Sequence, residues 1–478
     1  MTGYGWRRPQ GPSRSFGTTA TVFAVWSAVG ATLLSGCGVL PGISGGSREP
    51  ITVMTWAPDG SSATNAPGMP AMAKAFARWV NADGGIDGHE LKVLTCNEHN
   101  TATGASDCAR RAVKEKAAAV VGSYSQYDNA FIPPLEVAGI PYLGGYGISD
   151  REFTSALSYP VNGGQAALIA GSGQELAAAC DQVSLVRPDT LAGDVLPMLL
   201  DAGLASARHK PAADIRTAED AGDYTDEARR ALEQAGADPA GSESGTGSGS
   251  ESGTGSGTGS QSGTGSGAGG GRKGAGQKAA GQKAAGKGCV TAVLGDRTET
   301  FFDSFRRVAS DPRKVRVASV IGSVNQPLLD RTGGADGPFE GAYVTGWYPE
   351  SDDPRWEPMK RVIREHAFGD DAIDAADSGV QTTWIAYTAL KKLVESLHQD
   401  SVRAVDLVRA LNKGVTVDTG GLTPVLRWRF EDMLAAADFP RIVNRQVTFQ
   451  TVRNGRLVAL KKGFTDVSST MEASAANG

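Results

Sequence analysis

Two short loops carry groups that could bind a small anion. Ser123-Tyr124-Ser125-Gln126 follows a predicted strand and leads into a predicted helix, and residues 145–149 follow the next strand. Ligands of open α/β sheets bind beyond the carboxyl ends of the strands. Backbone N–H groups at a helix start favour an anion, serine hydroxyls add hydrogen bonds, and Gly147 lets the backbone approach a ligand closely. The same serines could instead only cap the helices that follow them.

Aromatic and acidic residues beside strand ends could line the same site. Trp56 and Asp59 follow the first predicted strand, and Tyr124 and Tyr146 lie within the two loops. In the second half of the chain, Asp296 follows another predicted strand. An aromatic side chain next to a strand end is equally compatible with a place in the core, so the aromatic candidates have two interpretations.

The sequence shows no convincing residue pattern for catalysis or for binding a metal or cofactor. The five histidines are scattered and no Cys-x-x-Cys occurs, which argues against a metal site. No Gly-x-Ser-x-Gly lies on a strand-turn-helix, which argues against a hydrolase. Glycine patterns for nucleotide binding occur in the repetitive segment 241–288, where Gly288 replaces the serine or threonine that a phosphate loop requires. We therefore predict a protein that is not an enzyme and binds no cofactor.

The N-terminal segment has the pattern of a bacterial export signal. Three arginines precede an apolar run over 19–34, which is shorter than the roughly 20 residues that a membrane-spanning helix needs. The run ends in Leu34-Ser35-Gly36-Cys37, which resembles the bacterial lipobox. We expect a signal peptide over 1–36, a lipid on the Cys37 thiol and a flexible tether over 37–50. A plain cleavable signal or a signal anchor is the alternative.

Four further cysteines are an even number, as expected for disulfide bonds in an exported protein. Three pairings are possible. Cys96 closes a predicted strand and Cys108 lies in the next predicted helix, which favours a local bridge. Cys180 and Cys289 each precede a short apolar run. If those runs are neighbouring parallel strands, their starts lie side by side and a second bridge can form.

Length and charge limit the class of protein. The 478 residues are enough for two ordinary domains. A net charge of −5 argues against a nucleic-acid partner, and a hydrophobic fraction of 40% argues against a multi-span membrane protein.

Strands and helices alternate from residue 51 onward, which predicts parallel sheets with helices on both faces. The predicted strands cover 51–57, 91–95, 118–122, 140–143, 183–186, the region of residue 215, 289–295 and 315–321. The predicted helices cover 69–80, 106–116, 129–137, 194–202, 225–235, 301–308 and 380–397. A hairpin around Asn454-Gly455, a dipeptide typical of type I′ turns, closes the chain. The Gly/Ser/Lys-rich segment 241–288 cannot bury a core, and we interpret it as a disordered loop insertion because the alternation resumes after it.

Three stretches of the first half carry a family pattern. They are FARWVNADGGIDGHELKVLTCNEHN, CARRAVKEKAAAVVGSYSQ and PPLEVAGIPYLGGYGISDREFTS. Together they resemble the type I periplasmic binding proteins of the branched-chain amino-acid (Leu/Ile/Val) receptor family, and weaker similarity continues to residue 460. The resemblance implies an α/β fold of two lobes, each a mostly parallel sheet flanked by helices. Three crossings near 158–162, 344–348 and 426–430 would join the lobes.

The resemblance also implies the limits of the two lobes. Lobe one would cover 51–160 and 346–427, and lobe two would cover 161–345 and 428–465, with the insertion inside lobe two.

In that family the lobes close on a small solute, and the two serine-containing loops grip the carboxylate and ammonium of an amino acid. The matching positions here are Ser123 or Ser125 in the first loop and Gly147 and Ser149 in the second. Lobe two departs from the pattern, because residues 322–325 stand where the amino-acid receptors have an acidic residue.

These observations predict a lipid-anchored extracytoplasmic receptor on the outer face of the cell membrane. A monomer would bind a small polar solute, an amino acid or a similar carboxylate, by cleft closure and deliver it to the permease of an ABC importer. The alternative is a ligand-sensing surface lipoprotein that signals to a partner without transport. Neighbouring permease and ATPase genes would distinguish the two.

Overall fold

The computed structural model describes residues 47–61, 64–190, 193–218, 220–237, 287–309, 315–370, 372–436 and 438–475. The predicted signal peptide, the lipidation site Cys37, most of the tether and the predicted insertion up to residue 286 lie outside these residues. Among the described helices, none is long and apolar enough to cross a membrane.

Two sheets organise the described residues, and with their helices we call them lobe one and lobe two. The strands of lobe one are β1 (Arg48–Ala57), β2 (His89–Asn97), β3 (Ala119–Val121), β4 (Tyr142–Leu143) and β5 (Ser158–Tyr159). The strands of lobe two are β6 (Gln182–Pro188), β7 (Ala213–Thr217), β8 (Gly288–Ala292), β9 (Val315–Val320), β10 (Tyr343–Gly346), β11 (Gln446–Arg453), β12 (Arg456–Ala459) and β13 (Thr465–Asp466).

The strand order in lobe one is β2-β1-β3-β4-β5, and all of these pairs are parallel. In lobe two the order is β12-β11-β10-β9-β8-β6-β7, with β13 beside β11. Strands β6 to β10 are parallel, whereas β11 runs antiparallel to its neighbours. The predicted mostly parallel sheets are therefore confirmed.

Helices flank both sheets. They are α1 (Gly68–Ala82), α2 (Ala102–Lys114), α3 (Asp128–Ala138), α4 (Arg151–Thr154), α5 (Gly164–Ala179), α6 (Leu196–Ala205), α7 (Thr225–Gln234), α8 (Thr298–Val308), α9 (Gln326–Arg331), α10 (Glu357–His366), α11 (Ser378–Leu397), α12 (Ala404–Lys413) and α13 (Ser468–Ala475). Helices α1–α4 and α10–α12 pack in lobe one, and the others pack in lobe two. The sequence did not predict α5, because this helix is buried on most sides and lacks the polar face that makes a helical period visible.

Helix α1 shows how the apolar spacing becomes packing. Met69, Met72, Phe76 and Val80 recur at helical intervals and are all buried. Phe76 meets Trp384 of α11 with ring centroids 5.3 Å apart. The spacing therefore places α1 between the first sheet and α11, and its first residue lies at the end of the loop that follows β1.

Both predicted disulfides are confirmed. Cys96 and Cys108 are bonded with Cα atoms 5.7 Å apart, and Cys180 and Cys289 with Cα atoms 5.9 Å apart. The second bond forms for the predicted reason, since β6 and β8 are parallel neighbours. The hairpin is confirmed as well: β11 and β12 pair around Asn454-Gly455, whose φ angles of 53° and 72° are those of a type I′ turn.

Segments that follow β5, follow β10 and precede β11 run between the lobes, and buried tryptophans link them. The indole Nε1–H of Trp347 donates to the carbonyl of Gly164 at 2.8 Å. The indole of Trp428 donates to the carbonyl of Pro160, also at 2.8 Å. The connections are thus held by hydrogen bonds between distant parts of the chain.

Candidate ligand-binding cleft

Loops that follow strands of the two sheets meet at a cleft between the lobes. Tyr146, after β4, packs edge-on against Trp347, after β10, with ring centroids 5.1 Å apart. A Cβ atom placed on Gly322, after β9, would lie 2.6 Å from the Tyr146 hydroxyl. Thr64, after β1, lies 3.7 Å from the Cβ position on Gly295, after β8. The carboxyl ends of strands from both sheets therefore line one cleft, which is where α/β sheets bind ligands.

Ser123 connects three strands of lobe one. The residue is fully buried, and its Oγ accepts a hydrogen bond from the backbone N–H of Trp56 in β1 at 3.1 Å. Its carbonyl accepts from the hydroxyl of Tyr142 at 3.1 Å and from the N–H of Tyr146 at 2.9 Å. The hydroxyl that the sequence offers as a ligand contact is engaged inside the lobe.

Ser125 is also buried and is hydrogen-bonded to a carboxyl group of the same lobe. Its hydroxyl donates to Oε2 of Glu98 at 2.8 Å and accepts from the N–H of Tyr127 at 3.1 Å. Glu98 is fully buried, and this burial raises the pKa of its carboxyl to about 7. Ser125 therefore satisfies an internal carboxyl group and turns the backbone ahead of α3.

The second loop wraps around a carboxyl group that the chain supplies. Glu152 accepts hydrogen bonds from the N–H groups of Gly147 at 3.1 Å, Ile148 at 3.3 Å and Ser149 at 3.4 Å. The Ser149 hydroxyl donates to the same carboxyl group at 2.9 Å. The backbone N–H of Glu152 in turn donates to the carbonyl of Ser149 at 3.2 Å, so the two residues are joined in both directions. Burial raises the pKa of the Glu152 carboxyl to about 7.

Two tyrosines of the loops form an aromatic wall near the cleft. The rings of Tyr124 and Tyr146 lie 5.1 Å apart between centroids, and both contact a small apolar cluster with Met69 and Ala66. The Tyr146 hydroxyl lies 2.8 Å from the Oγ of Ser378 at the start of α11. The structure therefore brings these two sequence candidates together.

The remaining candidates lie apart from this wall. Trp56 is fully buried in the core of lobe one, where its ring packs against Phe131 at 5.4 Å between centroids, so it takes the core position that the sequence allowed for it. Asp59 is exposed, and its backbone pairs with the side-chain amide of Asn97. The side chain of Asp296 is not among those that the structure describes.

A polar cavity of 170 Å³ opens between the lobes, next to the aromatic wall. From lobe one it is lined by the start of α1 and the segment before α11, and from lobe two by α9. The lining residues are Asn65, Ala66, Pro67, Gly68, Ala372, Asp374, Asp377, Asn325, Pro327 and Arg331. Of this set, sequence reasoning reached only the stretch that contains Asn325, because the members come from distant segments. Their local signals are two helix-capping residues, Asp377 ahead of α11 and Asn325 ahead of α9.

Three charged side chains at the cavity are oriented by neighbours. Arg331 donates from Nε to Oε1 of Glu299 at 3.2 Å and from Nη2 to the other carboxylate oxygen. Asp377 caps α11 by accepting from the N–H of Val380 at 2.8 Å. Asp374 accepts from a nearby backbone N–H at 2.8 Å. Within the described residues, no group of three or more His, Cys, Asp or Glu side chains could hold a metal ion.

Two α/β lobes with mostly parallel sheets and a polar cleft between them define a solute-binding receptor of the periplasmic type. The comparisons agree. A family model described as periplasmic binding protein matches residues 53–438, and the chain belongs to this family, as a type I member. A search of curated protein sequences finds no significant match.

Solved structures share the fold at low sequence identity. A substrate-binding periplasmic protein from Ralstonia solanacearum is 14% identical, with a TM-score of 0.61, and the match covers 86% of this chain and 99% of that one. A branched-chain amino-acid ABC transporter protein from Thermus thermophilus with bound valine is 12% identical, with a TM-score of 0.61 and coverage of 88% and 97%.

A solute-binding protein of an ABC transporter from R. palustris, in complex with 4-hydroxybenzoate, is also similar. It is 12% identical, with a TM-score of 0.62 and coverage of 88% of this chain and 98% of that one. At these identities the likeness establishes the fold of this chain. The expected family and two-lobed fold class are thereby confirmed.

Proposed function

We propose that this protein is a lipid-anchored extracytoplasmic receptor that binds a small polar solute between its lobes and delivers it to an ABC importer. The solute would be an amino acid or a similar carboxylate, and the protein would act as a monomer without catalysing a reaction. The observation that carries the proposal is the 170 Å³ cavity, whose lining comes from both lobes of a binding-protein fold. The relatives crystallised with valine and with 4-hydroxybenzoate support this class of solute.

The cleft gives a physical reason for ligand-driven closure. A solute that contacts both lobes binds the closed arrangement better than an open one, and it shifts the population by that difference in affinity. Lobe one contributes the starts of α1 and α11, and lobe two contributes α9, so one small ligand can touch both. The permease would then distinguish the loaded, closed receptor from the empty one.

The chemistry of the N-terminal segment supports the membrane attachment. Acylation of Cys37, followed by a polar tether, would hold the receptor beside its permease without a spanning helix. The Cys37→Ala variant should take up no radiolabelled palmitate, whereas Cys180→Ala, which keeps the lipobox, should take up as much as the wild type. Equal labelling of the Cys37→Ala protein would contradict the lipid anchor.

Calorimetric titration tests the binding function. We expect at least one solute from a library of amino acids and small carboxylates to bind the full chain in detergent micelles. At a hundred times its Kd, such a ligand should raise the free energy of unfolding by about 2.7 kcal/mol. A library that produces neither heat nor a shift in Tm would contradict the receptor function.

A further inference from the structure

A buried histidine lies where the first strand of lobe one begins. His89 is the first residue of β2, is fully buried and pairs with Arg48 at the start of β1. Residues 48–50, which the sequence assigns to the tether, belong to β1. This end of the strand is mostly exposed, and its pairing with β2 is irregular up to Ile51. Apolar burial therefore does not hold the first residues of β1 in place, and polar contacts must do so.

Both ring nitrogens of His89 lie within hydrogen-bond distance of backbone carbonyl oxygens. Nδ1 lies 2.5 Å from the carbonyl oxygen of Glu49, and Nε2 lies 2.9 Å from that of Gln399, in the loop between α11 and α12. A neutral imidazole has one N–H, so it can donate to one of these carbonyls while a lone pair faces the other. The doubly protonated ring donates to both. The arrangement of acceptors therefore suits the imidazolium form of the side chain.

Two backbone hydrogen bonds close the same junction. The N–H of Arg48 donates to the carbonyl of Gly88 at 3.0 Å, and the N–H of Glu49 donates to the carbonyl of Asp400 at 3.2 Å. The ring of His89 thus bridges the start of β1 and the loop between α11 and α12, which are about three hundred and fifty residues apart in sequence. Losing either ring bond would loosen the strand end from the loop.

The charged and titratable groups around the ring come from the elements packed against it. They are Arg48 and Glu49 of β1, Asp87 before β2, Glu90 of β2, and His398 and Asp400 of the loop between α11 and α12. The guanidinium of Arg48 donates to Asp87 at 2.6 Å, and its Nε lies 3.5 Å from a carboxylate oxygen of Asp400. Because the carboxylates outnumber the guanidinium, the local charge is compatible with a second cation at His89.

We propose that His89 is a proton-dependent clasp that fixes the point at which the chain enters lobe one. The protonated ring holds the carbonyls of Glu49 and Gln399 together, and the neutral ring can hold only one of them. The clasp is therefore complete at acid pH, where histidine is protonated even in an unfolded chain, and it weakens as the pH rises. This inference goes beyond the proposed function and depends on no solute. Release would add residues 48–50 to the predicted tether, about 10 Å of extended chain.

Hydrogen exchange of the full chain in detergent micelles, followed by mass spectrometry, tests the clasp. After correction for the intrinsic pH dependence of exchange, the protection of the Arg48 and Glu49 amides should fall about tenfold or more between pH 6 and pH 8.5, because a charge-assisted hydrogen bond is lost. The amides of residues 53–57 in the same strand should not share this fall, which separates local release from global unfolding. Equal corrected protection of the strand end at the two pH values would overturn the proposal.

Two variants assign the effect to one histidine. His89→Gln does not titrate and can donate to one carbonyl only, so the protection of its strand end should change little with pH. His398→Asn is the matched control, because it removes the exposed histidine of the cluster and asparagine tolerates the positive φ of 49° at this position. This control should behave like the wild type. A pH-dependent fall in His89→Gln as large as that of the wild type would contradict the clasp.

Nuclear magnetic resonance of the wild type with ¹⁵N-labelled histidine keeps the test independent of the folding of the variants. Of the five histidines, all of which the structure describes, His89 alone is fully buried, so the slow exchange of its ring protons identifies its signals. At about pH 6 both of its ring nitrogens should carry a proton. A buried ring with one unprotonated nitrogen at that pH would overturn the proposal.

Discussion

The two lobes present different kinds of groups to the cleft. Lobe one contributes loops whose hydroxyl and N–H groups are bound by the buried carboxyl groups of Glu98 and Glu152. Lobe two contributes the backbone at Gly322 and the half-exposed guanidinium of Arg331. Residue types suited to a ligand thus mark a binding site only where the fold has not already satisfied them, since buried polar groups are almost always paired.

Lobe two departs from the family pattern at residues 322–325, and lobe one offers acidic groups at the same cleft. Residues 322–325 lack the acidic group that amino-acid receptors have there, yet Asp374 and Asp377 bring carboxylates to the cleft from the opposite lobe. The charge that one lobe lacks is available from the other.

Each lobe has one disulfide, and the largest expected effect is the difference in stability that the two bonds contribute. Cys180 and Cys289 are separated by 109 residues, whereas Cys96 and Cys108 are separated by 12. Loop-closure entropy predicts a loss of about 4–5 kcal/mol in the free energy of unfolding when the first pair is replaced by alanines, and about 3 kcal/mol for the second. Urea unfolding of the two double variants measures this. A larger loss from the short loop would show that native-state contacts, and not chain entropy, dominate.

The stability of the protein should depend on pH through the buried carboxyl group of Glu152 in lobe one. Burial raises the folded-state pKa of Glu152 from 4.5 to about 7, so the folded protein holds this proton more tightly than the unfolded chain does. Its stabilising contribution is therefore complete below about pH 4.5 and is lost as the pH rises through about 7, on the order of 3 kcal/mol in all. Urea unfolding at about pH 5 and pH 8 should show this decline.

Glu152→Gln cannot titrate and should reduce the decline, while Glu98, whose carboxyl pKa burial also raises to about 7, keeps its own share of it. The matched variant Glu365→Gln, exposed on α10, should keep it. If the Glu152→Gln protein loses as much stability between the two pH values as the wild type, another group is responsible.

Removing single hydroxyls should distinguish internal hydrogen bonding from ligand binding in lobe one. Ser125→Ala and Ser149→Ala should each lower stability by about 1 kcal/mol, because an internal hydrogen bond to a buried carboxyl group is lost. Solute affinity should stay the same, because both hydroxyls donate to buried carboxyl groups. Thermal melts and calorimetric titration measure the two quantities. A fall in affinity of fivefold or more with unchanged Tm would instead support the ligand contacts that the sequence predicted.

The smallest change in stability and solute affinity is expected when the insertion of lobe two is shortened. Replacing residues 241–286 with a few Gly/Ser residues should leave the Tm and the solute affinity nearly unchanged, because closure entropy varies slowly with loop length. Differential scanning calorimetry and titration check both. A large drop in Tm would show that the segment contributes to the fold of lobe two.

Sequence alone determined the features that depend on short stretches of chain. The alternation of apolar runs predicts the strands and helices, and the Asn454-Gly455 turn is confirmed with both residues at positive φ. Cys180 and Cys289 were paired correctly because each marks the start of a parallel strand. Such features follow from local periodicity and turn chemistry, which a sequence displays directly.

Tertiary structure alone decided which groups remain available to a solute. Ser125 is bound to Glu98, which lies 27 residues away, and Trp56 turned inward to pack against Phe131. Arg331 and Asp374 meet at one cavity although they belong to different lobes. Hydrogen-bond satisfaction and burial depend on contacts between distant segments, so the residue types at these positions could not reveal them before the chain was folded.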